Sequence, residues 1–587
     1  MKISIFIIVI MMFFLDIQAQ PQSVISIGDM EVVTYIQIVG EDIRYVSRYT
    51  NHVVTYTHPR SVCSNMSPDG RYLLLSSRQQ PTQLDIMYFP SQKIIFSIPW
   101  SANWFPCLVI WAGNNAIRAI QQDVDIYFQF ENLTLTSITD PNIQNYPQLP
   151  NFLSTTLDNF ILQSPSNPNI YAYQKCLSGN MLDELSCEGL SDVVIYDTST
   201  NQEIAILEGA SIEYLLGYYI DRSESGNMGI NSRPLISWSP DGRYLSYFEF
   251  LTIPDDGKVL IYDLQLDRYL NDTTTPEPRA LYYPNIWRNL EWSDENVLVI
   301  WKTGGTNDEF PYDPHGLINY FAFVHADTQT YITSAVFQSW SANSRQDVIF
   351  APDSRAIAIV GYPRFPLDEE PDLGSLNRGN LVGVYRGKLI LVDTNIGGRS
   401  TIIDENVTEI ITWRSICDFT VSDTASLIST MQTEPYSVIC LDENGQYDLT
   451  TPLPDVAGDI TIIGNGSTLT MTGQNRILNV VYNQQWSRNG SLSLKNVTLS
   501  GGVADDGGAI YNAGDLTLEN VTLQNHSAVR GGAIYNAGVL NMNGGAIQNN
   551  TASEFGGGIY TIGDMQLDGV NIRDNTAPEG SGVYQGE

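Results

Sequence analysis

A chain of 587 residues exceeds what one ordinary hydrophobic core can hold, so several domains or a repeat array are expected. Its 65 acidic and 30 basic residues give a formal net charge of −35, which argues against nucleic acid and anionic lipid as partners, since both are bound through basic patches. A 43% hydrophobic composition with 32 tyrosines, and no long stretch holding a 3.6-residue apolar period, favours strands over helices.

The chain opens MKISIFIIVIMMFFLDIQAQ. Lys2 supplies a positive start, Ile3 to Leu15 is an apolar run too short to span a bilayer comfortably, and Ile17-Gln18-Ala19 offers a small-residue cleavage site. Residues 1–19 read as a secretory signal peptide, with an uncleaved anchor as the alternative. The mature chain is then expected to be secreted, on the cell surface or periplasmic. No Cys follows the cleavage site, so no lipid attachment is expected, and no later segment reads as a membrane span.

Four segments then share one plan: NMSPDGRYLLLSS from Asn65, SWSPDGRYLSYFE from Ser237, LEWSDENVLVIWK from Leu290 and IFAPDSRAIAIVG from Ile349. An apolar strand ends at Ser or Ala, a tight turn follows, and an alternating strand leaves it. The copy at Leu290 lacks the Pro and the Gly. Weaker units start at Val109, Ser154 and Ile411, and strands such as VLIYDLQLDRYL from Val259 close several of them. Hairpins repeated every 45–60 residues or so predict four-stranded sheets, and radial repetition of such sheets protects their edges. Residues 24–430 are therefore expected to form a β-propeller of about seven blades, with six or eight left open. The SPDGR hairpins with their IYD-type strands resemble the WD40-like propeller repeats of the TolB family. Two stretches interrupt the pattern: an insertion within Ser154–Gly209, and the acidic Tyr362–Asn380, a candidate contact surface or a tolerated insertion.

Six cysteines, Cys63, Cys107, Cys176, Cys187, Cys417 and Cys440, suggest disulfides in an exported chain. Proximity favours Cys176–Cys187, then Cys417–Cys440 and Cys63–Cys107, with the connectivity left open. None belongs to a CxxC pair, so neither zinc nor a redox motif is expected.

The last quarter repeats at 24 or 25 residues: SLSLKNVTLSGGVADDGGAIYNAG from Ser491, DLTLENVTLQNHSAVRGGAIYNAG from Asp515, VLNMNGGAIQNNTASEFGGGIYTIG from Val539 and DMQLDGVNIRDNTAPEGSGVYQGE from Asp564. Period-2 alternation broken by Gly and Asn predicts short strands with corners, one coil per repeat. Stacked in register, Leu494, Leu518, Met542 and Leu567 form one column, Tyr511, Tyr535, Tyr560 and Tyr584 another, and Asp506 neighbours Arg530. Residues 440–587 are expected to form a short right-handed parallel β-helix with regular rungs from 491. The rungs resemble the pectin-lyase-like superfamily, and most nearly the GGAI repeats of polymorphic outer-membrane proteins and related bacterial surface proteins. The final rung reads as lacking a cap: it blunts itself, the chain is truncated, or another chain covers the end.

The chemistry-bearing motifs are sparse. The sequence has no GxSxG, HExxH or GxxxxGK[ST]. His52, His58, His315, His325 and His526 are scattered, and Asp505-Asp506 is the one attractive acidic pair, at a variable corner. Trp238 and Trp292 recur before hairpin turns and read as core; Trp104, Trp340 and Trp486 do not recur. The sequons at Asn132, Asn406 and Asn496 match turn chemistry. The expectation is an all-β, exported, non-catalytic surface or envelope protein without cofactor, whose partner is a protein or a polysaccharide. The alternatives are a carbohydrate-active enzyme using the β-helix, a polysaccharide lyase or hydrolase, and a periplasmic scaffold as the TolB resemblance implies.

Overall fold

The computed structural model describes residues 25–40, 42–59, 62–77, 83–99, 109–111, 116–121, 124–131, 134–138, 161–176, 190–211, 236–249, 258–270, 287–303, 318–338, 348–361, 387–396, 400–483 and 488–586. The signal-peptide residues, the acidic loop 362–380, Cys107, Cys187, His315, Asn132, Trp104, Trp340 and Trp486 lie outside them. The chain is all-β, with four-stranded antiparallel blades of propeller type followed by a parallel β-solenoid. It divides into two compact units, the first made of residues 1–62, 68–70 and 140–414, the second of 63–67, 71–139 and 415–587.

In the first unit each blade is a meander. Ile161–Gln163, Ile170–Cys176, Leu190–Asp197 and Gln202–Ser211 form one, and Ile236–Trp238, Tyr244–Glu249, Lys258–Asp263 and Arg268–Tyr269 the next. Trp287–Trp292, Val297–Thr303, Ile318–His325 and Thr330–Gln338 form a third. The fourth runs Ile349–Phe350, Ala356–Gly361, Gly387–Asp393 and Ser400–Ser415. That last strand is 16 residues long. Its start pairs with Gly387–Val392, and it also adjoins Glu31–Val39, which continues into Asp42–Arg48 and Val53–Pro59. One strand thus completes two blades. Blades meet through apolar faces: Tyr244 and Ile261 against Trp292 and Leu298, and Val299 and Phe323 against Ile357 and Ile390.

The repeated turn explains its residues. Ser239 donates its amide to Tyr244 O at 2.8 Å, and its Oγ accepts the Tyr244 amide at 2.9 Å. Ser67 and Tyr72 do the same at 2.8 and 2.9 Å. The fourth turn position is left-handed in every copy: Gly70 at φ 71°, Gly242 at 69°, Asn296 at 55° and Ser354 at 58°. Asn296 therefore fills the glycine's place in the divergent copy, as Asn tolerates that region better than other side chains do.

The second unit holds two further blades, Val62–Met66 through Lys93–Pro99 and Val109–Trp111 through Thr134–Ile138, together with the solenoid. Counting the shared strand twice, the described residues make seven four-stranded groups. The solenoid's longest sheet is parallel throughout: Phe419–Val421, Tyr436–Leu441, Asp459–Ile463, Ser491–Lys495, Asp515–Glu519, Val539–Asn543 and Asp564–Asp568. Leu494 pairs with Leu518, Leu518 with Met542 and Met542 with Leu567, the column that the repeats predict. Each buried Leu in such a column contributes about 2–3 kcal/mol of hydrophobic stabilisation.

The solenoid begins earlier than the repeats imply. The blades were expected to reach residue 430 and the solenoid to occupy 440–587, with regular rungs from 491, yet Phe419–Val421 already pairs in parallel with Ile439–Leu441. A helix at Thr424–Thr433 follows, capped by Asp423, whose side chain accepts the Ser426 amide. Its Leu427 and Met431 join the solenoid core and close that end. The unit expected from Ile411 is therefore split: its first residues finish a blade and the rest start the solenoid. These early rungs lack the GG corner, so they carry no repeat to read.

The GG pair itself has two physical reasons. The first glycine, as at Gly531, sits at φ 65°, and an added Cβ there would meet Ile534 O at 2.0 Å. The second, as at Gly532, lies so close to the following rung that a Cβ would meet Gly557 O at 2.2 Å. The Asn of GGAIYNAG is wholly buried: Asn512 Nδ2 donates to Asn536 Oδ1 at 2.7 Å, and Asn536 Nδ2 donates to Thr561 Oγ1 at 2.9 Å.

Candidate functional site

The acidic pair Asp505-Asp506 ends the solenoid strand Val503–Asp506. Asp506 and Arg530 are register partners on adjacent rungs. Arg530 Nε and Nη2 donate to the two carboxylate oxygens of Asp506 at 2.8 and 2.9 Å. This forked bond raises the already high pKa of Arg530. Arg476 reaches the same corner, with Nε donating to the carbonyls of Asp506 at 3.0 Å and Gly507 at 2.9 Å. Burial lowers the Arg476 pKa against the opposing pull of Asp506. Asp505, beside it, is exposed.

Both arginines lie over the tyrosine column. Tyr511, Tyr535, Tyr560 and Tyr584 stack with centroids 5.2, 5.1 and 5.6 Å apart. Arg476 sits 5.2 Å above Tyr511, and Arg530 is 5.1 Å from Tyr535 and 5.5 Å from Tyr560. The ring faces are thus spent on one another and on guanidinium groups. The corner is a cross-rung brace of one carboxylate, two cations and four rings.

The other sequence candidates separate. His52 stacks on Tyr49 at 4.2 Å, and His325 Nε2 contacts Thr394 O at 2.9 Å. His58 is buried, and burial lowers its pKa. His526 is buried between solenoid rungs. Among the described residues no group of three or more His, Cys, Asp or Glu is placed to hold a metal ion. Trp238 and Trp292 are buried and each donates its indole N–H back to the preceding blade, to Leu162 O at 3.2 Å and to Ser246 Oγ at 3.0 Å. Trp111 does the same to Asn65 O at 3.0 Å and belongs to this series, although it precedes no SPDGR-type turn. Asn406 and Asn496 are exposed at left-handed corners, with φ 60° and 51°.

Cys417 and Cys440 are disulfide-bonded, with Cα atoms 5.6 Å apart, and tie the residues just before the first strand of the longest solenoid sheet to its second strand. Cys63 is disulfide-bonded as well. The expected partners Cys107 and Cys187 are not among the described residues.

The arginine of each SPDGR-type turn carries a role that the motif alone did not disclose. Arg243 forks onto Asp263 at 2.8 Å and reaches Asp327 at 3.3 Å. Arg355 pairs with Glu31, which also accepts the Trp413 indole N–H at 3.0 Å. Arg71 lies in the second unit and points to the solenoid, donating to Tyr436 O at 2.7 Å, with Asp418 at 3.5 Å and the Phe419 ring at 5.7 Å. Three copies of one motif thus brace three different neighbours. The signal was the recurrence of Arg71, Arg243 and Arg355 after the turn, with Asn296 and not Arg anchoring the divergent copy.

The sequence matches no protein-family profile, and no curated protein is significantly similar to it. Among solved structures, the chain is similar to TolB from Acinetobacter baumannii, at 10% identity and a TM-score of 0.24, over 66% of this chain and 67% of that one. It is similar to the β-propeller domain of the Trilobed protease from Pyrococcus furiosus, at 14% identity and a TM-score of 0.24, over 42% of this chain and 56% of that one, little more than half its length. The Swd1 β-propeller domain of Myceliophteria thermophila is another, at 11% identity and a TM-score of 0.22, over 58% of this chain and 96% of that one. The strand order described above, not these likenesses, carries the fold.

Proposed function

We propose that the chain is an exported, non-catalytic surface or envelope protein whose propeller blades supply a binding platform and whose solenoid is a spacer or second contact surface. The partner is a protein or a polysaccharide. One observation supports this reading above the rest: the Asp506 carboxylate is held by both arms of the Arg530 guanidinium, so the best acidic candidate is committed to bracing rungs. A lyase or hydrolase would instead need carboxylates converging on one face, free to exchange a proton or hold a cation. The aromatic wealth fits the same assignment, with the described recurrent Trp side chains packed between blades.

The test is incubation of the chain from Gln20 onward with acidic and neutral polysaccharides and Ca²⁺, scoring retention and released oligosaccharides together. Retention without release is expected if the partner is a polysaccharide. Neither retention nor release points to a protein partner. Released oligosaccharides overturn the non-catalytic reading and return attention to Asp505 and Asp506.

A further inference from the structure

Three side chains repeat one job inside the solenoid. Asn575 Oδ1 accepts the amide of Asn550 at 3.0 Å, and its Nδ2 donates to Ile547 O at 2.8 Å. One rung back, Asn550 Oδ1 accepts the amide of His526 at 2.9 Å, and its Nδ2 donates to Leu523 O at 3.1 Å. One rung further, His526 Nδ1 accepts the amide of Gly502 at 2.9 Å, and Nε2 contacts Leu499 O at 3.0 Å. The histidine therefore occupies an asparagine place: an acceptor toward the backbone N–H about one rung earlier, and a donor toward a carbonyl three residues before that. It is the one titratable member of the three.

We propose that His526 is an acid-sensitive joint between solenoid rungs, closed while its ring is neutral and opened when the ring takes up a proton. The geometry dictates the chemistry. Gly502 N–H can only donate, so Nδ1 must keep its lone pair, which puts the ring hydrogen on Nε2, where it donates to Leu499 O. A proton added at Nδ1 would face the Gly502 N–H with another N–H and remove that bond. The ring is 1% exposed, and Gly502 has no room to retreat, since its Cβ position lies 2.1 Å from Gly508 O. The groups facing the ring are the Leu499 carbonyl, the Gly502 amide and, through its own amide, Asn550. Burial lowers the ring's pKa to about 4; the Leu499 carbonyl opposes this, whereas the Gly502 N–H, which needs the Nδ1 lone pair, favours the neutral ring, and no carboxylate or cation contributes.

The sign follows. The unfolded chain holds the ring at about 6.5, so it binds a proton that the folded rung refuses. The stabilising contribution is complete above about pH 6.5, declines as pH falls, and is gone near pH 4. Two and a half pH units correspond to an opening constant raised about 300-fold.

The experiment compares the wild-type chain with His526→Asn, which keeps the ladder and removes the titration. Amide hydrogen exchange over residues 499–527 is measured at matched pH from 7.5 to 4. Similar protection at pH 7.5 is expected, with the wild type falling behind the variant by up to about 150-fold at pH 4. Two curves that stay parallel across the range overturn the proposal. Should His526→Asn fail to fold, ¹⁵N-histidine spectra of the wild type decide. A ring that stays neutral with its hydrogen on Nε2 down to about pH 5 supports the joint, and one that protonates near 6.5 overturns it.

Discussion

Asn536 shows how one side chain can lock a repeat. Its Oδ1 accepts from Asn512, while its Nδ2 donates to Thr561 Oγ1 and to Asp564 O at 2.9 Å each. Replacing it by Ala leaves buried partners unpaired on both sides, which costs about 1–3 kcal/mol each. Asn536→Ala is therefore expected to lower the solenoid's urea midpoint by a clear margin, whereas Asn543→Ala, at an exposed rung position, leaves it near the wild-type value. The Asn of NAG was legible in the sequence as a corner residue, but not as an interior one, because hydrophobic patterning has no sign for a polar group satisfied inside a core. His526 was hidden for the same reason: as a lone histidine it had no partner within its own repeat, and its equivalents Asn550 and Asn575 are a different residue type.

At the scale of elements, regular rungs announced themselves and irregular ones did not. The columns Leu494–Leu567 and Tyr511–Tyr584 could be written from spacing alone, and the strands pair in that register. The strand Phe419–Val421 and the helix Thr424–Thr433 follow no period, so their place on the solenoid was set by packing. The Cys417–Cys440 bond closes a span of 23 residues around them. Cross-linking a loop of that length stabilises by about 3 kcal/mol through the unfolded chain. Cys417→Ser combined with Cys440→Ser is expected to increase hydrogen exchange in the helix and first rungs while leaving rungs beyond Asp515 unchanged. Equal loosening along the whole solenoid would show that the bond acts globally and not at that end.

At the scale of the molecule, the seven four-stranded groups among the described residues match the expected count of about seven, four of them marked by SPDGR-type turns, while the brace made by a turn's arginine depends on a neighbour far away in the chain. Electrostatics also act at this scale. A charge of −35 is spread over 587 residues, and compaction brings like charges together. Raising NaCl from about 20 to 300 mM shortens the screening length from about 20 to 6 Å, so the thermal midpoint is expected to rise. A midpoint that falls with salt would mean that the ion pairs of Arg71, Arg243, Arg355 and Arg530 outweigh the general repulsion.

The strand Ser400–Ser415 has a consequence for synthesis. Glu31–Val39 emerges from the ribosome early, yet the strand beside it is made some 370 residues later, a separation seen in the Tyr35–Asp404 hydrogen bond, with |i−j| of 369. For all of that elongation, at about 5–20 residues per second, one edge of the first three strands has no native neighbour. Nascent chains thus spend about 20–70 s with an open β edge before this blade can close, a window in which that edge is open to non-native pairing.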